Sequence, residues 1–124
     1  MQVERVDFVN VPTQDYDQSI AFYRDVLGLP QNPRVPTEFE AGNVTLALFD
    51  PTEAGLEFAT NGCGDIALRV PDVAAARAEL EAKGVEFTRP VSDERFGLLT
   101  SLRVPGGGEL GLYEPRHPTA LSQP

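Results

Sequence analysis

One arrangement of elements occurs twice in the chain. Residues 6–12 are followed by a helix-like stretch that ends in Leu27-Gly28-Leu29. Residues 65–71 are followed by a second such stretch, which ends in Lys83-Gly84-Val85. Each half then closes with an apolar strand that stops at a proline. This repeat predicts two β-α-β-β-β modules whose half-sheets can face each other, and the hollow between them is a natural ligand site.

The length of the chain favours one domain built from both modules. A total of 124 residues suits a single compact domain, whereas a module of about 60 residues would bury only a marginal core by itself. We therefore expect one domain over residues 1–124, with module one at about 3–51 and module two at about 64–115. The linker is expected at about 52–63, and residues 116–124 are expected to form a flexible tail.

The charge of the chain argues against nucleic acid as a partner. The formal net charge is −9, and the sequence has no basic patch that would meet a phosphate backbone. The same charge favours cationic partners, although excess surface carboxylate more often serves solubility.

Neither a membrane nor a secretory route is indicated. No apolar run approaches the length of a membrane span, and the first residues form a polar-alternating strand rather than a signal-peptide pattern. The single cysteine, Cys63, permits no internal disulfide, which fits a reducing compartment. We therefore expect a cytoplasmic protein with no membrane partner.

The first helix is predicted from apolar spacing and from its end signals. Apolar residues such as Ile20 and Tyr23 recur every three or four positions over 15–27, which places one apolar stripe on a helix. Asp15 is placed as the N-cap, and Gly28 as the terminator. The second half repeats these signals, with a cap at Asp72 and a helix that runs to Lys83.

Strands account for most of the remaining apolar segments. Prolines at positions 30, 33 and 36 remove ladder donors, so this region is either an edge strand or a loop. A loop is also predicted at 90–95, and Gly106-Gly107-Gly108 is predicted to be a turn between two strands. The predicted strands span residues 4–11, 37–41, 44–50, 65–70, 85–89, 96–104 and 109–115.

Two segments resemble the vicinal oxygen chelate superfamily, which includes glyoxalase I, bleomycin-resistance proteins and extradiol dioxygenases. They are residues 15–29, with the phrase Phe-Tyr-Arg-Asp-Val-Leu-Gly-Leu at 22–29, and residues 65–73 together with 82–85. The resemblance spans residues 3–115. It implies an α+β fold in which two β-α-β-β-β modules form a partial barrel of curved mixed sheets around a cleft, and it implies a homodimer.

The resemblance also implies four metal-ligand positions, which this chain fills poorly. Metal-dependent members place a His, Gln or Glu on the first strand of each module and a Glu or a similar residue on the last. The matching positions here are Phe8, Ala47, Asp65 and Gly111. Three of these side chains have no lone pair, and a lone aspartate leaves a divalent ion far short of a fixed coordination shell. We therefore expect neither a metal nor another cofactor.

The same alignment predicts which side chains line the cleft. Aromatic side chains supply apolar walls, two small residues leave volume, and three polar side chains are available to orient a ligand. An alternative is that these side chains pack a closed core in which Asp65 and Arg69 pair. The predicted ligand-binding residues are Phe8, Asn10, Ala47, Phe49, Asp65, Arg69, Gly111 and Tyr113, with Thr45 and Ala67 on the same faces.

No catalytic residue is assigned. Cys63 has no histidine nearby in sequence, and His117, the single histidine, lies beyond the repeat in a proline-rich tail. The glycine run at 106–108 precedes no helix and therefore lacks the helix N-terminus that a phosphate cradle needs. Arg95 and Phe96 are candidates for a lid over the cleft, although such exposed loops are usually just solvated.

Three functions follow from this reading. The first is a metal-free protein that binds a small organic ligand, sequestering an organic or cationic compound such as an antibiotic, as the bleomycin-resistance branch does. The second is a metal-dependent lyase, isomerase or dioxygenase of the same superfamily with displaced ligands, so enzymatic activity is left open. The third is an interaction protein whose cleft is closed.

Overall fold

The computed structural model describes residues 1–59 and 65–116. The chain divides into two compact units, and each combines helices with one mixed sheet. The first unit comprises residues 1–60 together with 105–107, and the second comprises 61–104 together with 108–124. The predicted α+β class is confirmed, and neither sheet closes on itself.

The first unit has a three-stranded sheet in the order β1-β3-β2. Strand β1 runs parallel to β3, and β2 runs antiparallel to it. The elements in chain order are β1 (Phe8–Pro12), α1 (Tyr16–Ala21), a π-helical turn (Phe22–Val26), β2 (Glu38–Ala41), β3 (Val44–Phe49) and a 3-10 turn (Pro51–Ala54).

The second unit has a four-stranded sheet in the order β4-β7-β6-β5. Strand β4 runs parallel to β7, and the two hairpins that follow in the sheet are antiparallel. The elements are β4 (Ala67–Arg69), α2 (Val73–Ala82), β5 (Phe87–Glu94), β6 (Gly97–Arg103) and β7 (Glu109–Pro115).

The first helix begins where the sequence predicts but changes type midway. The Asp15 carboxylate accepts a hydrogen bond from the backbone N–H of Gln18 at 3.0 Å, which confirms the N-cap. After Ala21 the backbone widens into a π turn, in which the N–H of Leu27 donates to the carbonyl of Phe22 at 2.9 Å. Residue spacing alone does not distinguish a π turn from a continuing α-helix.

Proline explains two departures from regular strand pairing. The proline-rich segment at 30–36 contributes only an isolated bridge between Gln31 and Phe39, so module one has three strands rather than four. The loop predicted at 90–95 is wrong, because β5 continues to Glu94. Strand β5 lies at the sheet edge and shifts register on both sides of Arg89, an arrangement that tolerates Pro90.

Each sheet has one face that packs against its own helix. In the first unit Phe39 is fully buried, and its ring lies 5.7 Å from that of Tyr23, in the π turn. Alternate residues therefore point away from the helix. We call these alternate positions the helix-distal face of the first sheet; they are Phe8, Asn10, Pro12, Glu38, Glu40, Thr45, Ala47 and Phe49.

The second sheet follows the same rule. Arg77 of α2 donates a hydrogen bond to Thr100 Oγ1 at 3.0 Å, which marks the face that carries buried Leu102, Leu110 and Leu112. The helix-distal face of the second sheet includes the alternate positions Ala67, Arg69, Leu99, Ser101, Arg103, Glu109, Gly111 and Tyr113.

The turn at Pro105–Gly107 belongs to the first unit although it lies between β6 and β7 in the chain. Ser19 Oγ donates to the carbonyl of Pro105 at 3.2 Å and lies 2.6 Å from Thr13 Oγ1. Both hydroxyl residues are buried. Gly106 has φ +85°, and a Cβ there would collide with Thr13 Oγ1, so the close approach requires glycine.

Candidate functional site

The helix-distal face of the first sheet combines an exposed aromatic ring with small and polar neighbours. Phe8 is 58% exposed although it lies within β1. Its partner in β3 is Thr45, and Asn10, also exposed, pairs with Ala47. Ala47 and Phe49 are half-buried. The five predicted residues of module one therefore share one face of one sheet, as the alternation predicts.

Two glutamates on this face were not among the predicted site residues. Glu38 pairs directly with Ala47 across the β2–β3 ladder, and Glu40 pairs with Thr45. Directly opposed residues in an antiparallel pair have Cβ atoms about 4.5–5.5 Å apart, so each carboxylate is a close neighbour of the predicted site. The alternation Glu38-Phe39-Glu40, with phenylalanine facing the core, is a sequence signal that would have found them.

The helix-distal face of the second sheet carries four of the predicted residues of module two. Ala67 pairs with Gly111, and Arg69 pairs with Tyr113. A Cβ added at Gly111 would lie 3.3 Å from the Cβ of Ala67, so the two strands approach closely at this point. Gly111 is buried, whereas Ala67 and Arg69 are exposed.

Asp65 precedes the strand that carries Ala67 and Arg69. The strand predicted at 65–70 begins only at Ala67, and Asp65 occupies an exposed turn ahead of it. Ala67, rather than Asp65, is therefore the residue opposite Gly111. The placement of Asp65 inside a regular strand is wrong, because the ladder between β4 and β7 is only three residues long.

The candidate lid residue Phe96 contacts the second sheet. Its ring lies 5.7 Å from the ring of Tyr113, and the Tyr113 hydroxyl donates to the Phe96 carbonyl at 3.3 Å. Phe96 remains 45% exposed. Gly97 has φ +154° and lies so close to Glu114 that an added Cβ would strike its carbonyl oxygen. The aromatic pair is thus held at a constrained turn between β5 and β6.

The side chains at the family's metal-ligand positions do not fit a divalent metal. Phe8, Ala47 and Gly111 offer no donor atom, and Asp65 supplies a single carboxylate. Within residues 1–59 and 65–116, no group of three or more His, Cys, Asp or Glu side chains is arranged to hold a metal ion. The donor set that the family's metal chemistry needs is therefore not present at those positions.

Other residues singled out by the sequence play different parts. Cys63 and His117 lie outside the described residues, as do residues 118–124 of the predicted tail. Arg116, the first residue of that tail, donates its backbone N–H to the Phe96 carbonyl at 2.9 Å. Tyr23 is 1% exposed, and no described residue provides its hydroxyl with a hydrogen-bond partner. Burial raises the pKa of Tyr23 above its ordinary value.

In the described part of the chain, no helix has the length and apolar character that crossing a bilayer requires.

Solved structures with the same fold come from several bacteria. The antibiotic binding protein TnmS3 from Streptomyces sp. CB03234 is 24% identical, with 94% of this chain and 99% of that chain covered and a TM-score of 0.74. A lactoylglutathione lyase from Agrobacterium tumefaciens is 21% identical, with 92% and 96% covered and a TM-score of 0.73. No functionally curated protein matches the chain.

A superfamily member from Sphaerobacter thermophilus DSM 20745 has the same architecture at 22% identity, with 90% and 98% covered and a TM-score of 0.73. At these identities the likeness establishes the fold. Family membership is established by the sequence itself, because a family model matches residues 5–112. The chain belongs to the Glyoxalase/Bleomycin resistance protein/Dioxygenase superfamily.

Proposed function

We propose that this protein is a metal-free small-molecule-binding protein of the glyoxalase/bleomycin-resistance type, which sequesters an organic or cationic compound such as an antibiotic. The observation that carries the proposal is the chemistry at the family's ligand positions. Where metal-dependent relatives need donors, this chain has an exposed phenylalanine, an alanine and a glycine. Such residues favour contact with an organic ligand over coordination of an ion.

The proposed binding residues supply the two kinds of contact that a small-molecule site needs. Phe8, Phe49 and Tyr113 provide aromatic surface, which contributes most of the apolar contact area in such sites. Asn10, Asp65 and Arg69 provide polar groups that orient the ligand. Ala47 and Gly111 are small residues, each on the helix-distal face of its own sheet. These predicted residues remain the ones we assign to binding.

Similarity to an antibiotic binding protein supports the proposal, since its fold matches this chain over nearly the full length of both. The proposal also includes a cytoplasmic location and a homodimer. Light scattering of the purified protein tests the dimer, and a single peak at the monomer mass of 13.5 kDa would contradict it.

Three measurements test the binding function. Native mass spectrometry of protein purified without chelator should reveal a co-purifying organic molecule, and elemental analysis should find less than stoichiometric Zn, Ni, Mn and Fe. A thermal-shift screen should find compounds that raise the melting temperature, because a ligand that binds only the folded state stabilises it. A library that includes cationic antibiotics and stabilises nothing would contradict the proposal.

The alternative is a metal-dependent lyase, isomerase or dioxygenase with displaced ligands. Similarity in fold to a lactoylglutathione lyase favours it. Stoichiometric metal that is retained on gel filtration, and lost when Asp65 is replaced by asparagine, would support this alternative and contradict the metal-free proposal.

A further inference from the structure

The helix-distal face of the first sheet has a one-sided charge. Its charged residues are Glu38 and Glu40, and no lysine or arginine lies on β1, β2 or β3. Of the arginines in the first unit, Arg5 pairs with Asp7 at 2.9 Å and Arg24 pairs with Asp25 at 2.8 Å. Arg34, in the segment before β2, forms no ion pair within the described residues, and its backbone N–H donates to Asn32 Oδ1 at 2.9 Å.

Neither glutamate is neutralised by a described residue. Within residues 1–59 and 65–116, no ion pair includes Glu38 or Glu40. Glu38 is half-buried and accepts one hydrogen bond, from Asn32 Nδ2 at 3.2 Å. This bond engages Oε1 and restrains the carboxylate. Glu40 is exposed.

The ladder places these carboxylates in line with aromatic and small side chains. Glu40 lies across from Thr45, whose other neighbour is Phe8 on β1. Glu38 lies across from Ala47, whose other neighbour is Asn10. An aromatic molecule resting on Phe8 and Ala47 would therefore bring a substituent toward one or both carboxylates. Positive charge on that substituent would meet two carboxylates on a sheet whose strands carry no lysine or arginine.

We infer that Glu38 and Glu40 select for ligands that combine an aromatic ring with a cationic group. The inference rests on the proposed small-molecule-binding function and identifies the residues that determine its charge preference. Aromatic contact supplies affinity for the ring, and the carboxylates add attraction that depends on the charge of the ligand. The overall net charge of −9 acts in the same direction on the encounter rate.

Three planar three-ring probes of matched shape test the inference. Proflavine is a cation near neutral pH, acridine is neutral, and anthracene-9-carboxylate is an anion. Dissociation constants from fluorescence titration should rank proflavine tightest and anthracene-9-carboxylate weakest. In the Glu38→Gln/Glu40→Gln double variant, proflavine should bind about tenfold more weakly, while acridine should change less than twofold. Added salt should reduce the preference of the wild-type protein, because it screens partly exposed charges.

A matched control separates local from overall charge. Glu79→Gln removes one carboxylate from the exposed surface of α2 and should leave the order of the three probes unchanged. The single variants Glu38→Gln and Glu40→Gln should each produce part of the effect. Circular dichroism and melting temperature report whether each variant is folded.

The outcomes distinguish this inference from the proposed function. If proflavine and acridine bind equally, or if the double variant keeps the preference for proflavine, the charge-selection inference is overturned and small-molecule binding stands. If none of the three probes binds, the inference is overturned as well, and the library screen and native mass spectrum decide the proposed function independently.

Discussion

The helix-distal face of the first sheet carries only negative charge, whereas that of the second carries charges of both signs. The strands of the first sheet have only glutamates as charged residues, while Arg69, Arg103 and Glu109 lie on the corresponding face of the second. The helix-packed faces are alike, since both bury leucine. A repeated fold therefore preserves the packing pattern of its modules while the exposed faces change in charge, because core positions tolerate few residue types and surface positions tolerate many.

The largest expected effect is a loss of stability that differs between the two faces of the second sheet. Leu112 on the helix-packed face is 2% exposed, whereas Leu99 on the helix-distal face is half-buried. Leu112→Ala should lower the free energy of unfolding by about 2–5 kcal/mol, through lost burial and a cavity. Leu99→Ala should cost clearly less. Chemical denaturation measures both, and equal losses would contradict the distinction between the faces.

The second effect compares two glycines with nearly the same backbone angle. Gly106 and Gly84 have φ +85° and +86°, but only at Gly106 does an added Cβ meet other atoms, with Thr13 Cβ at 2.8 Å. Gly84→Ala should cost about 1–2 kcal/mol for the left-handed backbone alone. Gly106→Ala should cost about 1–3 kcal/mol more, through overpacking. Equal losses of stability in the two variants would show that the turn at Gly106 accommodates the added Cβ and would contradict this prediction.

A third effect tests the buried Tyr23 hydroxyl in the first unit. Because this hydroxyl has no described partner, Tyr23→Phe should raise stability at neutral pH by about 1 kcal/mol. The raised pKa adds a pH dependence, since the unfolded tyrosine ionises near pH ~10 while the folded one remains neutral. The free energy of unfolding should therefore keep its full value below about pH 10. Above that pH it should fall by up to about 1.4 kcal/mol per pH unit.

Urea denaturation at several alkaline pH values measures that slope. Tyr23→Phe should make it shallower than in the wild-type protein. Tyr16→Phe is the control, because the Tyr16 hydroxyl already accepts a hydrogen bond from the backbone N–H of Asp50 at 2.9 Å. This control should retain the alkaline slope although it loses stability. An unchanged slope in Tyr23→Phe would contradict the assignment of the effect to this residue.

The smallest expected effect on stability comes from truncating Phe8, and the same variant tests whether the helix-distal face of the first sheet binds an aromatic ligand. Phe8→Ala should change the free energy of unfolding by less than about 0.5 kcal/mol, because the ring is 58% exposed. It should nevertheless weaken proflavine binding. Tyr113→Ala makes the same truncation on the second sheet, where the ring also contacts Phe96. Titration of both variants shows whether each sheet contributes; unchanged binding in both would contradict the proposed aromatic contacts.

Local chemistry made much of the fold predictable. Asp15 and Asp72 were expected as N-caps, and each accepts a backbone hydrogen bond at 3.0 Å. Strand alternation likewise predicted that Phe8 and Asn10 on β1 share one face with Thr45 and Ala47 on β3. These features depend on neighbours in sequence, so residue type and spacing are sufficient to infer them.

Features that depend on distant pairing were not predictable. Strand alternation could have placed Glu38 on the helix-distal face, but its pairing with Ala47 follows from the β2–β3 register, which local patterns do not specify completely. The start of β4 at Ala67 rather than Asp65 likewise depends on how far the ladder to β7 extends. The continuation of β5 past Pro90 required an edge position, which only the strand order reveals.

The hydroxyl contact between Ser19 and Pro105 joins residues that are 86 positions apart in the chain. Module one, as delimited by the sequence repeat, ends long before the turn that covers Thr13 and Ser19. A fragment cut at residue 60 would leave those hydroxyls facing water and lose a piece of its own packing. During synthesis this contact can form only after residue 105 has been made, so the packing of the first unit is completed late.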